Sequence, residues 1–242
     1  MPMTLYADSR YPVSPRLETL HLDELQSYAR SGTWGTAAQR TAIAATARIA
    51  QCEQGLQESV GDEELAARAK LPDAAVRLAR AVAVDSQNID RTFCQDIQAQ
   101  GVSEGAYVEI VALVSRLSNL DVFTRGLGIP VRKLLEPADE TRPSFERPAE
   151  AVDEGFFTAS VPSAPQGGAL AESLYGESPA GNIFRAVSLD PDEARRVMSL
   201  VSQQYFGAEH LLNFHAASDH ALSRAQIELV ATKVSEHNQC FY

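Results

Sequence analysis

Cysteine is scarce in this chain: three residues in 242, Cys52, Cys94 and Cys240, too few and too scattered for a disulfide framework. Their use implies a reducing compartment. Positive charge is also short. Twenty-one Lys and Arg stand against 32 Asp and Glu, leaving a formal charge of -11, which argues against nucleic acid or an anionic membrane as partner. No apolar run approaches the ~20 residues that a bilayer span needs, and Met1–Arg10 holds no apolar stretch of the signal-peptide kind. These absences together imply a cytoplasmic protein. Period-two alternation is scarce as well, which argues against a sheet-rich fold. The single tryptophan, Trp34, lies between Gly32 and Gly35, a setting for packing under a turn.

What remains is helical. With 45% apolar residues the chain is able to bury a sizeable core, and its apolar residues recur mostly at helical spacing. Thr36–Ala50 reads as a helix with Ile43, Ala44, Ala47 and Ile49 on or near its apolar face. A second helix begins at Pro72-Asp73, since proline is favourable in a first turn. Ile89–Ala99 continues after a break at Ser86–Asn88, with Gly101 as its C-cap. Ser103 caps the next helix, which carries Tyr107, Val108, Val111, Leu113, Val114 and Leu117. Asp190 as N-cap acid, Pro191 and Glu193 mark another start.

Between Pro130 and Pro165 the texture changes. Six of the twelve prolines fall there among many acids, the composition of an extended linker. Phe156 and Phe157 inside it are candidate anchors on a domain surface. The expected organisation is therefore a unit over residues 1–135, a proline-rich acidic linker over 136–168 and a second unit over 169–242.

The two units share a pattern. Shifting the chain by 119 residues pairs Pro72, Asp73, Ala75, Arg77 and Val82 with Pro191, Asp192, Ala194, Arg196 and Val201. The same shift pairs Ala106, Glu109, Val111, Ala112 and Asn119 with Ala225, Glu228, Val230, Ala231 and Asn238. Matching helix starts ahead of a shared Glu-x-Val-Ala-x6-Asn pattern read as two copies of one element. In the first copy Asp121 stands where the second has Cys240, so the first copy is expected to be structural.

The C-terminal segment is the most specific. Ser223 and Gln226 form a Ser-x-x-Gln capping box, and Ile227, Val230, Ala231 and Val234 give a stripe expected to be buried. Glu228 sits within that run, where a carboxylate is costly unless paired or functional. The helix is expected to break at Asn238 and deliver Cys240 at the break. Glu228 and Cys240 lie twelve residues apart, roughly 18 Å along one straight helix. They therefore cooperate only if the chain turns near His237–Gln239.

Leu222, Ser223, Glu228, Leu229, Val230, Ala231, Asn238 and Cys240 stand at the spacing of a known motif, and the segment resembles the alkylhydroperoxidase D-like and carboxymuconolactone decarboxylase family. The resemblance implies an all-α fold of two tandem repeats that assemble as a homo-oligomer. It also implies a redox-active Cys-x-x-Cys pair that reduces a hydroperoxide at the expense of a dithiol reductant, without a cofactor or metal. Cys240 and Glu228 are its catalytic residues, Glu228 in a proton relay, with His237 and Tyr242 as supporting residues. Cys240 matches the resolving cysteine, and the attacking one would stand at position 243, past Tyr242; the 242-residue chain is accordingly expected to show little turnover.

Two further readings differ in class. A lyase like carboxymuconolactone decarboxylase needs no cysteine pair, but the chain is acidic and offers few Arg or His near the motif. A non-catalytic assembly protein with decayed sites is the third. His210, His215 and His220 repeat every five residues, about 140° apart on a helix, so they do not converge on one metal. Cys52 and Cys94 read as core residues. Arg40 stands where an acid would complete a faint echo of the motif around Cys52.

Overall fold

The computed structural model describes residues 4–59, 61–176, 180–206 and 221–240. Ten α-helices and no β-strand are found among them; the one extended pairing is an isolated antiparallel bridge between Val152 and Ser160. The fold is all-α. No helix among the described residues is long and apolar enough to cross a membrane. The chain divides into two compact units, Met1–Met198 and Ser199–Tyr242.

In the first unit, α1 (Pro15–Tyr28), α4 (Asp73–Val84) and α6 (Glu104–Gly126) pack around α2 (Ala37–Glu53), and the single turn α3 (Glu63–Ala66) also packs on α2. Local chemistry explains why these elements begin where they do. Thr36 and Gln39 form a reciprocal capping box at the start of α2, and Ser103 accepts from the Ala106 amide at the start of α6. Pro72 precedes α4 as its N-cap residue. A 3₁₀ turn at Ser86–Asn88 separates α4 from α5 (Arg91–Ala99), and Gly101 follows at φ 95°, as the sequence signals predict.

The face that α2 presents to its neighbours is alanine-rich. Ala42, Ala44, Ala45, Ala47 and Ala50 are all buried; such small side chains let the axes approach closely and lose no rotamer entropy. Ala112, Leu113, Val114 and Leu117 of α6, with Leu78 and Ala79 of α4, complete that core, while Val108 packs with Ala159 and Leu189 in a second cluster. Gly105, at the start of α6, makes room for Trp34: a Cβ there would lie 2.0 Å from the indole ring.

The proline-rich stretch contains no helix, as its composition predicts, and it is fastened to the bundle. Ala138 donates its amide to the Ala29 carbonyl at 2.7 Å and Phe145 to Thr33 at 2.9 Å. The Ser31 hydroxyl donates to Asp139 at 2.7 Å. Val131, Leu134, Ala159 and Val161 are buried. Two short helices follow, α7 (Gly168–Tyr175) and α8 (Asn182–Arg185). Next comes α9 (Pro191–Gln204), which Asp190 starts by accepting from the amides of Asp192 and Glu193.

The second unit holds the end of α9 and α10 (Arg224–His237). The Ser223–Gln226 capping box starts α10 and Asn238 is its C-cap. The expected buried stripe is corrected here. No residue of α10 is buried, and Leu229, Val230 and Val234 are all more than half exposed. Among the described residues of this unit only the end of α9 and the residues flanking α10 accompany it, and helical periodicity alone does not secure burial.

Candidate functional site

The candidate residues lie on α10 and just past it. Glu228, in the second turn, accepts from Arg224 Nε at 2.6 Å and is hydrogen-bonded to the Tyr205 hydroxyl, whose pKa is pushed up to about 12 by burial and by that carboxylate. The Arg224 guanidinium lies 3.9 Å from the centroid of the Phe206 ring, and the Tyr205 and Phe206 rings meet edge to face at 4.8 Å. The carboxylate expected inside an apolar run is thus paired, on a partly exposed surface.

Cys240 lies beyond the other end of the same helix. The Gln239 amide donates to the Glu236 carbonyl at 3.1 Å, and the Cys240 amide reaches back to Ser235 at 2.9 Å. With Gln239 at φ 50°, this is a Schellman closure with a left-handed residue after the C-cap. The chain therefore turns where the motif requires, and Cys240 is exposed at the turn. His237, in the last turn of α10, is exposed as well. Glu228 and Cys240 occupy opposite ends of the helix, and the structure does not bring them together. Tyr242 lies outside the described residues, as do His210, His215 and His220. No group of His, Cys, Asp and Glu able to hold a metal ion is present among the described residues.

The corresponding positions of the first unit are buried ion pairs. Glu109 accepts from the amides of Trp34 at 2.6 Å and Gly35 at 3.2 Å and pairs with Arg40. Asp121, at the position matching Cys240, takes a bidentate contact from Arg48, Nε at 2.9 Å and Nη2 at 2.8 Å. Arg48 also reaches Asp62 at 3.3 Å. The helix α6 runs unbroken past Asn119 to Gly126, so the carboxylate of Glu109 stands beside no helix break. It instead anchors the turn ahead of α2.

Around Glu109 extends a network that the sequence reading missed. Arg40 donates to Glu193 at 2.9 Å, Arg116 to Glu193 through Nε at 3.0 Å and also to Glu24, and Arg196 to Glu24 at 3.1 Å. Glu24, Arg40, Glu109, Arg116, Asp190 and Glu193 are all buried. Three guanidinium groups thus face the carboxyls of Glu24, Glu109, Glu193 and Asp190. Burial, with Glu193 and Glu109 nearby, raises the Asp190 pKa to about 7. Burial works the same way on Glu193, but Arg116 and Arg40 outweigh it and bring its pKa down to about 2. Asp190 therefore exchanges its proton near neutrality. Arg40 and Arg48, eight residues apart within an alanine-rich helix, were the available signal: two long cations on a buried face demand acids.

Comparison with protein-family models, with curated proteins and with solved structures returns no match.

Proposed function

We propose that the chain is a thiol-dependent, peroxidase-like oxidoreductase of the alkylhydroperoxidase D type, built from two tandem repeats. The observation that carries the reading is the end of α10. A left-handed Gln239 and two reverse hydrogen bonds place an exposed cysteine at a sharp turn, on the helix whose first turns hold Glu228 against Tyr205 and Arg224. A non-glycine residue in the left-handed region costs energy, and here it sets the position of Cys240. The paired helix starts of α4 and α9, each at a Pro-Asp step, support the repeat. The exposed Leu229, Val230 and Val234 are consistent with burial between copies in a homo-oligomer.

In this reading an attacking thiolate, three residues after Cys240, meets the hydroperoxide. The O–O bond breaks, the alcohol leaves with a proton, and the sulfur becomes a sulfenic acid. The Cys240 thiolate then attacks that sulfur, a disulfide forms, and water leaves. A dithiol reductant reopens the disulfide. Glu228, hydrogen-bonded to Tyr205, is the relay acid of this reading; at roughly 18 Å along the helix it does not serve Cys240 directly, and it reaches the attacking sulfur where the chain after Cys240 folds back along α10.

The test appends one cysteine directly after Tyr242, which completes the Cys-x-x-Cys spacing. The expected result is dithiol oxidation that depends on hydroperoxide, slowed about 10²-fold by Glu228→Gln. Cys240→Ser should abolish the intramolecular disulfide, read by mass spectrometry. Turnover indifferent to both substitutions would overturn the proposal.

A further inference from the structure

A cavity of about 510 Å³ lies in the first unit between the end of α4, α5, the middle of α6 and the chain around Phe156–Phe157. Val82, Ile89, Val108, Val111 and Val187 make much of its wall apolar, and Ser115 and Asn182 add small polar groups. Among the described residues its charges are of one sign: Arg91 and Arg185 line it, and no described carboxylate does. In a chain carrying 32 acids against 21 bases, two guanidinium groups with no carboxylate among the described lining residues run against the overall charge balance.

The two arginines also build the rim. Arg91 donates to the backbone carbonyls of Gly155 and Phe156, the latter at 3.0 Å, and its guanidinium lies 5.7 Å from the Phe157 ring centroid. Among the described residues it makes no ion pair. Arg185 lies 5.8 Å from the Phe156 ring centroid and donates to Ser160 at 3.2 Å, with Glu154, which does not line the cavity, as its ion-pair partner. The Phe156–Phe157 pair, exposed in part, is thereby pinned across the opening by cations that retain unused donor directions.

We propose that this cavity binds a small amphipathic carboxylate, its apolar body against the valines and its anionic head on Arg91 and Arg185. The volume falls in the range of small-molecule pockets, which combine an apolar lining with a few placed polar groups. A guanidinium presents paired donors that match a carboxylate. An aliphatic or an aromatic acid satisfies this chemistry equally. The site is independent of the thiol reading, since neither Cys240 nor Glu228 takes part.

The test is calorimetric titration of the intact chain with decanoate, 1-naphthoate and decan-1-ol. At least one of the two acids should bind at a single site, and its preference over the other identifies the aliphatic or aromatic source. Decanol should bind at least about tenfold more weakly, because it offers no charge to the arginines. Arg91→Gln and, separately, Arg185→Gln should each weaken the acid about tenfold and leave decanol unchanged. Val111→Trp should exclude all three by filling the cavity. Circular dichroism selects the variants that keep the parent helix content, so a misfolded variant is not counted. Equal affinity for decanoate and decanol, no binding by either acid, or acid binding that survives every folded variant would each overturn the proposal.

Discussion

The guanidinium of Arg116 and the carboxylate of Glu193, 77 residues apart in sequence, are joined in the protein interior, with Nε 3.0 Å from Oε2. Through this pair and the contact of Glu193 with Arg40 at 2.9 Å, the start of α9 is fixed to α2 and α6. Removing one partner of such a pair leaves a buried charge without compensation. Glu193→Gln should therefore cost about 3–5 kcal/mol, read as a lower urea midpoint with an unchanged slope. Arg195, three residues along an exposed surface from Asp192, is the internal control. Arg195→Ala should change stability by no more than about 0.5 kcal/mol.

Asp190 gives the network a pH dependence. Its pKa rises from 3.8 to about 7, first through burial and then through Glu193 and Glu109. Between those values the folded state holds a proton that the unfolded chain has released. The contribution of this group to stability therefore declines as pH rises from about 4 to 7 and is level above. Asp190→Asn keeps an oxygen for the amides of Asp192 and Glu193 and removes the charge. The variant should gain on the parent as pH rises from 5 to 8, by about 2–4 kcal/mol at the plateau. Thermal melts across that range check it, and a constant difference would refute the assignment.

Trp34 supplies a built-in reporter as the one tryptophan of the chain. Its indole lies against Gly105, where an added methyl would overlap the ring, and Phe145 meets it edge to face at 6.1 Å. Gly105→Ala should displace the indole and cost about 1–3 kcal/mol, the usual range for overpacking. The accompanying shift in tryptophan emission locates the disturbance at this contact.

Legibility in the sequence followed the range of the interactions. Ser103 with Ala106, Asp190 with Glu193 and Ser223 with Gln226 act within three residues of one another, and each cap stands where the sequence places it; the equally local Thr36–Gln39 box, at the first residue of the expected helix, caps α2. The turn before Cys240 was legible for the same reason. Arg40 was not. Its partners Glu109 and Glu193 are 69 and 153 residues away, and nothing local announces them beyond a cation among alanines. The stripe on α10 shows the converse. Periodicity encodes which face is apolar, and the neighbours alone decide whether that face is covered.

The last prediction joins the strained turn to the reactivity of Cys240. Gln239 holds a φ of 50°, where a side chain on Cβ crowds the following carbonyl and glycine does not. Gln239→Gly should stabilise the end of α10 by about 0.5–1 kcal/mol and leave the turn in place. Cys240 is exposed, whereas Cys94 is buried with its sulfur 3.3 Å from the Phe157 carbonyl, and Cys52 is half-buried; burial raises the pKa of both. Since the thiolate is the reactive form, alkylation near neutral pH should modify Cys240 first, then Cys52, and Cys94 last. Gln239→Gly should preserve that order, while slower hydrogen exchange at the substituted position's amide and at the Cys240 amide reports the tighter turn. Gln239→Pro has no amide to give to Glu236 and a φ fixed near −65°, so it should open the closure and release Cys240 from its fixed place. A labelling rate for Cys240 that is the same in parent, glycine and proline variants would mean that the turn holds the backbone but does not govern the thiol.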